Sequence, residues 1–150
     1  MRYWLLKTEA EEFSIDDLKS NRTTLWTGVR NYQARNFMTQ DMKLGDQAIV
    51  YHSNGKPSAA VGIMEVSALA TPDPSALDKK SDYFDPKASF EKPIWYCTEF
   101  KYVKKFTREI SLDEMRKNPK LKNMLLLKKG SRLSITPLTD QEFHEIAKAP

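Results

Sequence analysis

The 150-residue sequence predicts an α+β fold, a small, mostly antiparallel β-barrel of five or six strands flanked by short helices. Three observations carry this expectation. Apolar and aromatic runs of strand length recur at Arg2–Lys7, Gln47–Ser53, Ser58–Leu69, Ile94–Val103 and Arg132–Thr136. Short helix starts stand between and beside them, each with the same double signature. The helices are too few and too short to serve as crossovers in alternating βαβ units, which leaves an antiparallel barrel with helices packed outside it.

The helix starts come first. Ser14 with Asp17, Ser111 with Glu114 and Thr139 with Glu142 are hydroxyl-x-x-acid capping boxes. Phe13 with Leu18, Ile110 with Met115 and Leu138 with Phe143 add a hydrophobic staple to each. Helices are therefore expected over 15–20, 112–117 and 140–147, and a fourth over 31–39 ahead of Gly45. Gly45-Asp46 reads as a turn into the buried strand Gln47–Ser53. Asn54-Gly55 reads as a hairpin turn, because both residues tolerate positive φ. Thr71-Pro72-Asp73-Pro74 and Asp85-Pro86 punctuate an irregular stretch from 70 to 93. With no linker, repeat or low-complexity tract, residues 1–150 read as one domain.

Composition excludes several functions. One cysteine, Cys97, allows no intramolecular disulfide and no multi-thiolate zinc site. With only His52 and His144, no His-rich metal centre is expected, and no cofactor. The five glycines are scattered, so there is no phosphate-cradling loop, and no G-x-S-x-G elbow occurs. Neither a membrane span nor a signal peptide is visible, which points to a cytoplasmic protein; a monomer of bacterial type is the expectation. Charge is uneven. Residues 1–100 carry 12 basic and 14 acidic side chains, while 101–130 carry 10 basic and 3 acidic. Such a block suits a polyanion, and Lys101, Lys104, Lys105, Arg108, Lys128 and Lys129 are its candidate phosphate contacts; a solvated lysine-rich face gives the same count.

Two segments stand out by residue type. Trp26–Asn36, W-T-G-V-R-N-Y-Q-A-R-N, combines aromatic faces that stack on bases, amides that pair with base edges and arginines that take phosphate. The same residues also serve as core aromatics and helix caps. Lys7-Thr8-Glu9 could bind a ligand edge or act as an acid/base set, and reads equally as a solvated loop.

These segments resemble the EVE domain, a member of the PUA-like superfamily. The matching strings are Y-W-L-L-K-T-E (3–9), F-S-I-D-D-L (13–18), W-T-G-V-R-N-Y-Q-A-R-N (26–36), G-D-Q-A-I-V-Y-H-S-N (45–54), Y-F-D-P-K (83–87), P-I-W (93–95) and G-S-R-L-S-I-T-P-L (130–138). Thr8-Glu9-Ala10 departs from the family's usual Ser-Glu-Pro. The resemblance implies a PUA-like barrel similar to the YTH domain, and a non-catalytic reader of a modified base, a methylated or hydroxymethylated cytosine or a methylated adenine, in DNA or RNA. It implies Trp26 as the cage residue and Lys7, Thr8 and Glu9 as polar contacts to the base. Asn31, Tyr32, Arg35 and Asn36 would form the pocket wall and Tyr51, His52 and Ser53 its floor. Asp85 and Lys87 would come from the long loop, and Trp95 would be a second aromatic wall. Two other readings remain open: an ASCH-type amidohydrolase of acylated nucleosides using Lys7, Thr8 and Glu9, and a protein-interaction module on the basic face.

Overall fold

The computed structural model describes residues 1–129 and 133–148. Its strands are β1 (Tyr3–Glu9), β2 (Thr23–Leu25), β3 (Gln47–Ser53), β4 (Ala59–Pro72), β5 (Tyr96–Ser111) and β6 (Ile135–Leu138). Its α-helices are α1 (Ile15–Asn21), α2 (Tyr32–Asn36), α3 (Leu112–Lys117) and α4 (Asp140–Ala147). The strands form one sheet in the order β2-β5-β4-β3-β1-β6. All neighbours are antiparallel except β1 and β3, which run parallel from Tyr3↔Gln47 to Glu9↔Ser53.

Side-chain alternation sorts the core into two layers. Trp4 and Leu6 of β1 and Ala48 and Val50 of β3 face a cluster with Ile15, Leu18, Trp26, Met38, Phe100 and Ile135. Leu5 of β1 and Ile49 and Tyr51 of β3 face the other way, against Met115, Leu121, Met124, Phe143 and Ile146. The first layer is closed by α1 and α2, the second by α3 and α4.

The sheet has two ends, so it is not a barrel closed by hydrogen bonds. It is nonetheless curled: Trp26, just after edge strand β2, and Ile135, in edge strand β6, join the same cluster. Four register shifts between β4 and β5 supply the bending, since each bulge kinks its strand and adds twist. The gap where the two edges approach is where the cavity described below lies.

Local expectations hold at most helix starts. Ser14 and Thr139 make full capping boxes. Ser111 accepts from the Glu114 N–H, but the Glu114 carboxylate is taken by Arg108 at 2.6 and 3.0 Å, so the return half is not made. The helix expected over 31–39 is α2 followed by a π-helical turn, Phe37–Asp41, closed by the Met42 N–H on the Phe37 carbonyl. Asn54 has φ 56°, but β3 and β4 are joined by residues 54–58 rather than by a two-residue turn. The strand expected at Ile94–Val103 is Tyr96–Ser111. Beyond Val103 only Phe106 and Ile110 are buried, because there β5 is the edge of the sheet beside β4, β2 pairing only with Glu99–Lys101. β2 was not expected, and β6 begins at Ile135; Arg132, expected in that strand, lies outside the described residues.

Candidate functional site

A cavity of about 550 Å³ opens at the gap between the sheet edges, within the usual size range for small-ligand sites. The end of β1 contributes Lys7, Thr8 and Glu9, and the following turn Glu12 and Phe13. Thr24 and Leu25 come from β2, Trp26–Val29 from the chain after it, and Ser53, Tyr83 and Ser134 complete the wall.

The wall at Trp26–Val29 is fixed from behind. The Trp26 N–H donates to the Thr98 carbonyl at 2.9 Å. Its ring meets Phe13 and Phe100 edge to face at 6.1 and 5.9 Å. Only 8% of Trp26 is exposed, so it is core and cavity wall at once. Gly28 has φ +83°, and a Cβ there would lie 2.9 Å from the Tyr83 ring. Its N–H donates to Asp73 at 2.9 Å. Asp73 is buried and also accepts from Arg30 Nη1 at 3.1 Å, the Ser75 N–H at 2.8 Å and Ser75 Oγ at 2.6 Å. Burial alone would raise its pKa, but the hydrogen bonds from Ser75, Gly28 and Arg30 outweigh it and hold the carboxyl below its ordinary value.

Arg30 spends its guanidinium on the protein. It donates to the Tyr83 carbonyl from Nε and Nη2 at 3.1 and 2.6 Å and lies 5.6 Å from the Tyr83 ring and 5.3 Å from Trp95. Tyr83 Oη in turn donates to Glu12 at 3.1 Å. Burial first, then the neighbouring Glu12 carboxylate, raises the Tyr83 pKa and keeps it a donor.

The residues at the end of β1 are unequally free. Thr8 Oγ1 donates to the Phe13 carbonyl at 2.8 Å, and Glu9 Oε1 accepts from Asn54 Nδ2 at 2.6 Å. The Lys7 ammonium makes no ion pair among the described residues. Burial lowers its pKa.

The structure thus brings Lys7, Thr8, Glu9, Trp26 and Ser53 to one cavity, and does not bring the rest of the expected wall and floor there. The Asn31 side chain caps α2 by accepting from the Ala34 N–H at 3.0 Å. Tyr32 stacks on Trp95 at 4.9 Å and 22°. Arg35 donates to Asn36 Oδ1 and to the Ile94 carbonyl. Trp95 Nε1 donates to Asp85 at 2.7 Å, and Asp85 also accepts from the Lys87 N–H. Tyr51 points into the opposite core layer, as alternation along β3 requires. His52 Nε2 accepts from the Ile15 N–H at 3.1 Å, and burial lowers its pKa.

Among the basic candidates, Lys101 pairs with Glu65, Lys105 with Asp16 and Arg108 with Glu114. Exposed Lys104, Lys128 and Lys129 have no ion pair among the described residues. Among those residues there is also no group of three metal-ligating side chains, and no helix long and apolar enough to cross a membrane.

Sequence reasoning missed Asp73, Tyr83, Gly28, Arg30, Glu12 and Phe13 as parts of the site. Asp73 read as loop punctuation because its partners lie more than 40 positions away. Phe13, Gly28, Arg30 and Tyr83 carried a signal only as members of the strings 13–18, 26–36 and 83–87, while Glu12 and Asp73 carried none.

The comparisons agree with this architecture. Thymocyte nuclear protein 1 from Gallus gallus is 42% identical, the match covering 94% of this chain and 65% of that protein. The chain thus spans just under two thirds of that relative's length. A crystal structure of human THYN1 protein in complex with 5-methylcytosine containing DNA is 38% identical with TM-score 0.90, covering 97% of this chain and 95% of that one. An ASCH protein from Zymomonas mobilis, at 10% identity and TM-score 0.54 over 98% and 97% of the two chains, shares the fold alone. The EVE domain model matches residues 2–149, and the chain belongs to the EVE domain family.

Proposed function

We propose that this chain binds nucleic acid and takes one modified base, foremost 5-methylcytosine in DNA, into the cavity beside Trp26 without turning it over. One observation carries the reading: a protein 38% identical over nearly the whole of both chains is seen in complex with 5-methylcytosine containing DNA. The cavity chemistry supports it. The cytosine edge offers an exocyclic amine donor beside ring acceptors. The carboxylates of Glu9 and Glu12 accept from such an amine, and the Lys7 ammonium donates to the acceptors. Phe13, Trp26 and Val29 supply apolar surface for a methyl group and a ring face. A methyl group in such a slot is worth about 1–3 kcal/mol, so discrimination against plain cytosine is modest. The base enters unpaired or flipped, at a cost of roughly a few kcal/mol. One copy of the chain suffices.

The rival reading is hydrolysis of an acylated nucleoside. Lys7, Thr8 and Glu9 do border the same cavity. Against it, the Thr8 hydroxyl donates to the Phe13 carbonyl and not to the Glu9 carboxylate, which accepts from Asn54.

Tryptophan-fluorescence titration of the wild type and Trp26→Phe at low salt tests the proposal. The ligands are free modified nucleosides and short oligonucleotides. Saturable quenching by 5-methyl-2′-deoxycytidine, weaker with deoxycytidine and weaker in the variant, is expected. No response to any of them overturns the proposal. Release of the acyl group from an acylated cytidine, lost in Thr8→Ala, would replace it with the hydrolase.

A further inference from the structure

A series of neighbouring planar groups leads from the cavity wall to the surface, ending in one stacked pair. It starts at Tyr83, which lines the cavity, and passes to the Arg30 guanidinium 5.6 Å from that ring. Arg30 lies 5.3 Å from Trp95, and Trp95 stacks on Tyr32 at 4.9 Å. Every member but the last is committed on its remaining sides: Tyr83 to Glu12, Arg30 to Asp73, Ser75 and Tyr83, and Trp95 to Asp85. Tyr32 is 60% exposed.

Trp95 covers one face of Tyr32, and the residue is still more than half exposed. The Arg35 guanidinium is 4.8 Å from the Tyr32 centroid and 5.9 Å from that of Trp95. With Trp95 4.9 Å from the same centroid, these distances put Arg35 well to the side of the line that runs from Trp95 through Tyr32, not opposite Trp95. Arg35 therefore flanks the stack, held there by Asn36 and the Ile94 carbonyl, and leaves the outer face of Tyr32 uncovered. The result is a rigid aromatic face with a fixed cation at its edge, continuous with the cavity wall. An aromatic ring backed by a second ring loses little entropy when another planar group lands on it, and an adjacent guanidinium favours a ligand that also carries phosphate.

We infer that the outer face of Tyr32 is a second stacking platform, which holds a nucleobase a few positions along the strand from the base in the cavity, with Arg35 toward the phosphate between them. This rests on the proposed base-binding function. It adds an oligonucleotide subsite that a free nucleoside cannot use, and because every base has a planar face it is indifferent to sequence.

The experiment compares two ligands on wild type, Tyr32→Phe and Tyr32→Leu. Leucine keeps an apolar cover on Trp95 and removes the flat face, and thermal melts confirm folding. One ligand is free 5-methyl-2′-deoxycytidine. The other is a short single-stranded DNA carrying one 5-methylcytosine, by fluorescence anisotropy. Stacking on an aromatic contributes about 1–3 kcal/mol per base, so Tyr32→Leu should lose roughly five- to hundredfold in oligonucleotide affinity. Nucleoside affinity should be unchanged, and Tyr32→Phe should bind both ligands as wild type does. An abasic site at the stacked position should weaken the wild type similarly and leave Tyr32→Leu no worse. Wild-type oligonucleotide affinity in Tyr32→Leu, with nucleoside binding intact, overturns the platform alone. If the wild type binds neither ligand, the base-binding function fails and the platform with it.

Discussion

Asp73→Asn should separate the cavity wall from its anchor. Oδ2 of Asp73 receives the Gly28 N–H and Arg30 Nη1, and Oδ1 receives the Ser75 N–H and Ser75 Oγ. Asparagine keeps the volume and one oxygen. Turning that oxygen toward Ser75 preserves the start of the 3₁₀ turn Pro74–Ala76, but then the amide NH₂ faces two donors, Gly28 and Arg30. The variant loses one charge-assisted hydrogen bond, worth about 1.5–3 kcal/mol, and leaves one neutral donor unmet at about 1 kcal/mol. The sum is near ~3 kcal/mol, and for a domain of this size each kcal/mol lowers Tm by roughly 2–4 °C. Urea and thermal melts measure the loss, and nucleoside titration measures whether the Trp26–Val29 wall stays in place.

The same carboxylate sets a pH dependence. Its native pKa is lowered, so its contribution is complete above the unfolded carboxylate value of about 4 and is lost as pH falls through the lower native value. The gap in stability between wild type and Asp73→Asn should therefore be constant near neutrality and close in acid. A variant as stable as wild type at neutral pH would refute this account. So would one that is destabilised yet binds ligand normally, because then Asp73 would not be positioning Gly28.

Three further outcomes are expected. Gly28→Ala puts a side chain at φ +83° with its Cβ 2.9 Å from the Tyr83 ring. Left-handed strain alone costs about 1–2 kcal/mol, and the ring must shift at the cavity wall, so thermal melts and nucleoside titration should both show a loss. His52 must be neutral to accept from the Ile15 N–H, and its pKa is lowered by burial. Its contribution is thus full above the unfolded value of about 6.5 and falls as pH drops toward the native value. A ring-proton NMR titration with a midpoint at or above that of free histidine would contradict it. Finally, Lys104→Gln, Lys128→Gln and Lys129→Gln should each reduce the slope of log affinity against log salt for a single strand by about 0.7 if the residue meets phosphate. Lys101→Gln should reduce it less, because Lys101 is already paired with Glu65.

What was legible in the sequence was what is local. Ser14 and Thr139 announced α1 and α4 because a capping box closes within four residues, and Gln47–Ser53 announced β3 because its burial is nearly continuous. β2 escaped because it is three residues long and exposed at both ends. The second half of β5 escaped because Lys104, Lys105 and Arg108 are exposed and only Phe106 and Ile110 are buried. Curling of the sheet, which brings β2 to the start of β6 and so makes the cavity, depends on bulges between β4 and β5 that leave no mark in residue type.

The site shows the same division inside one string. W-T-G-V-R-N-Y-Q-A-R-N looked like a single recognition surface, because aromatic rings, amides and guanidinia are what nucleic acid requires. In the fold it does two jobs. Trp26–Val29 line the cavity, while Arg30 is spent on Tyr83 and Asp73, Asn31 on the Ala34 N–H, and Arg35 on Ile94 and Asn36. The chemistry that makes arginine a phosphate ligand, a planar fork that stacks on rings and donates to two oxygens at once, equally makes it a clamp between chain segments. Residue type could not separate the two uses, since the deciding partners, the Tyr83 carbonyl and the Asp73 carboxylate, lie more than 40 residues downstream. The clamp has a functional consequence. Arg30 is bonded to the Tyr83 carbonyl and lies against Trp95, the ring stacked on Tyr32, so the cavity wall and the exposed ring are linked through one side chain. A ligand that engages both meets a surface already ordered, and its affinity is not spent on assembling the site.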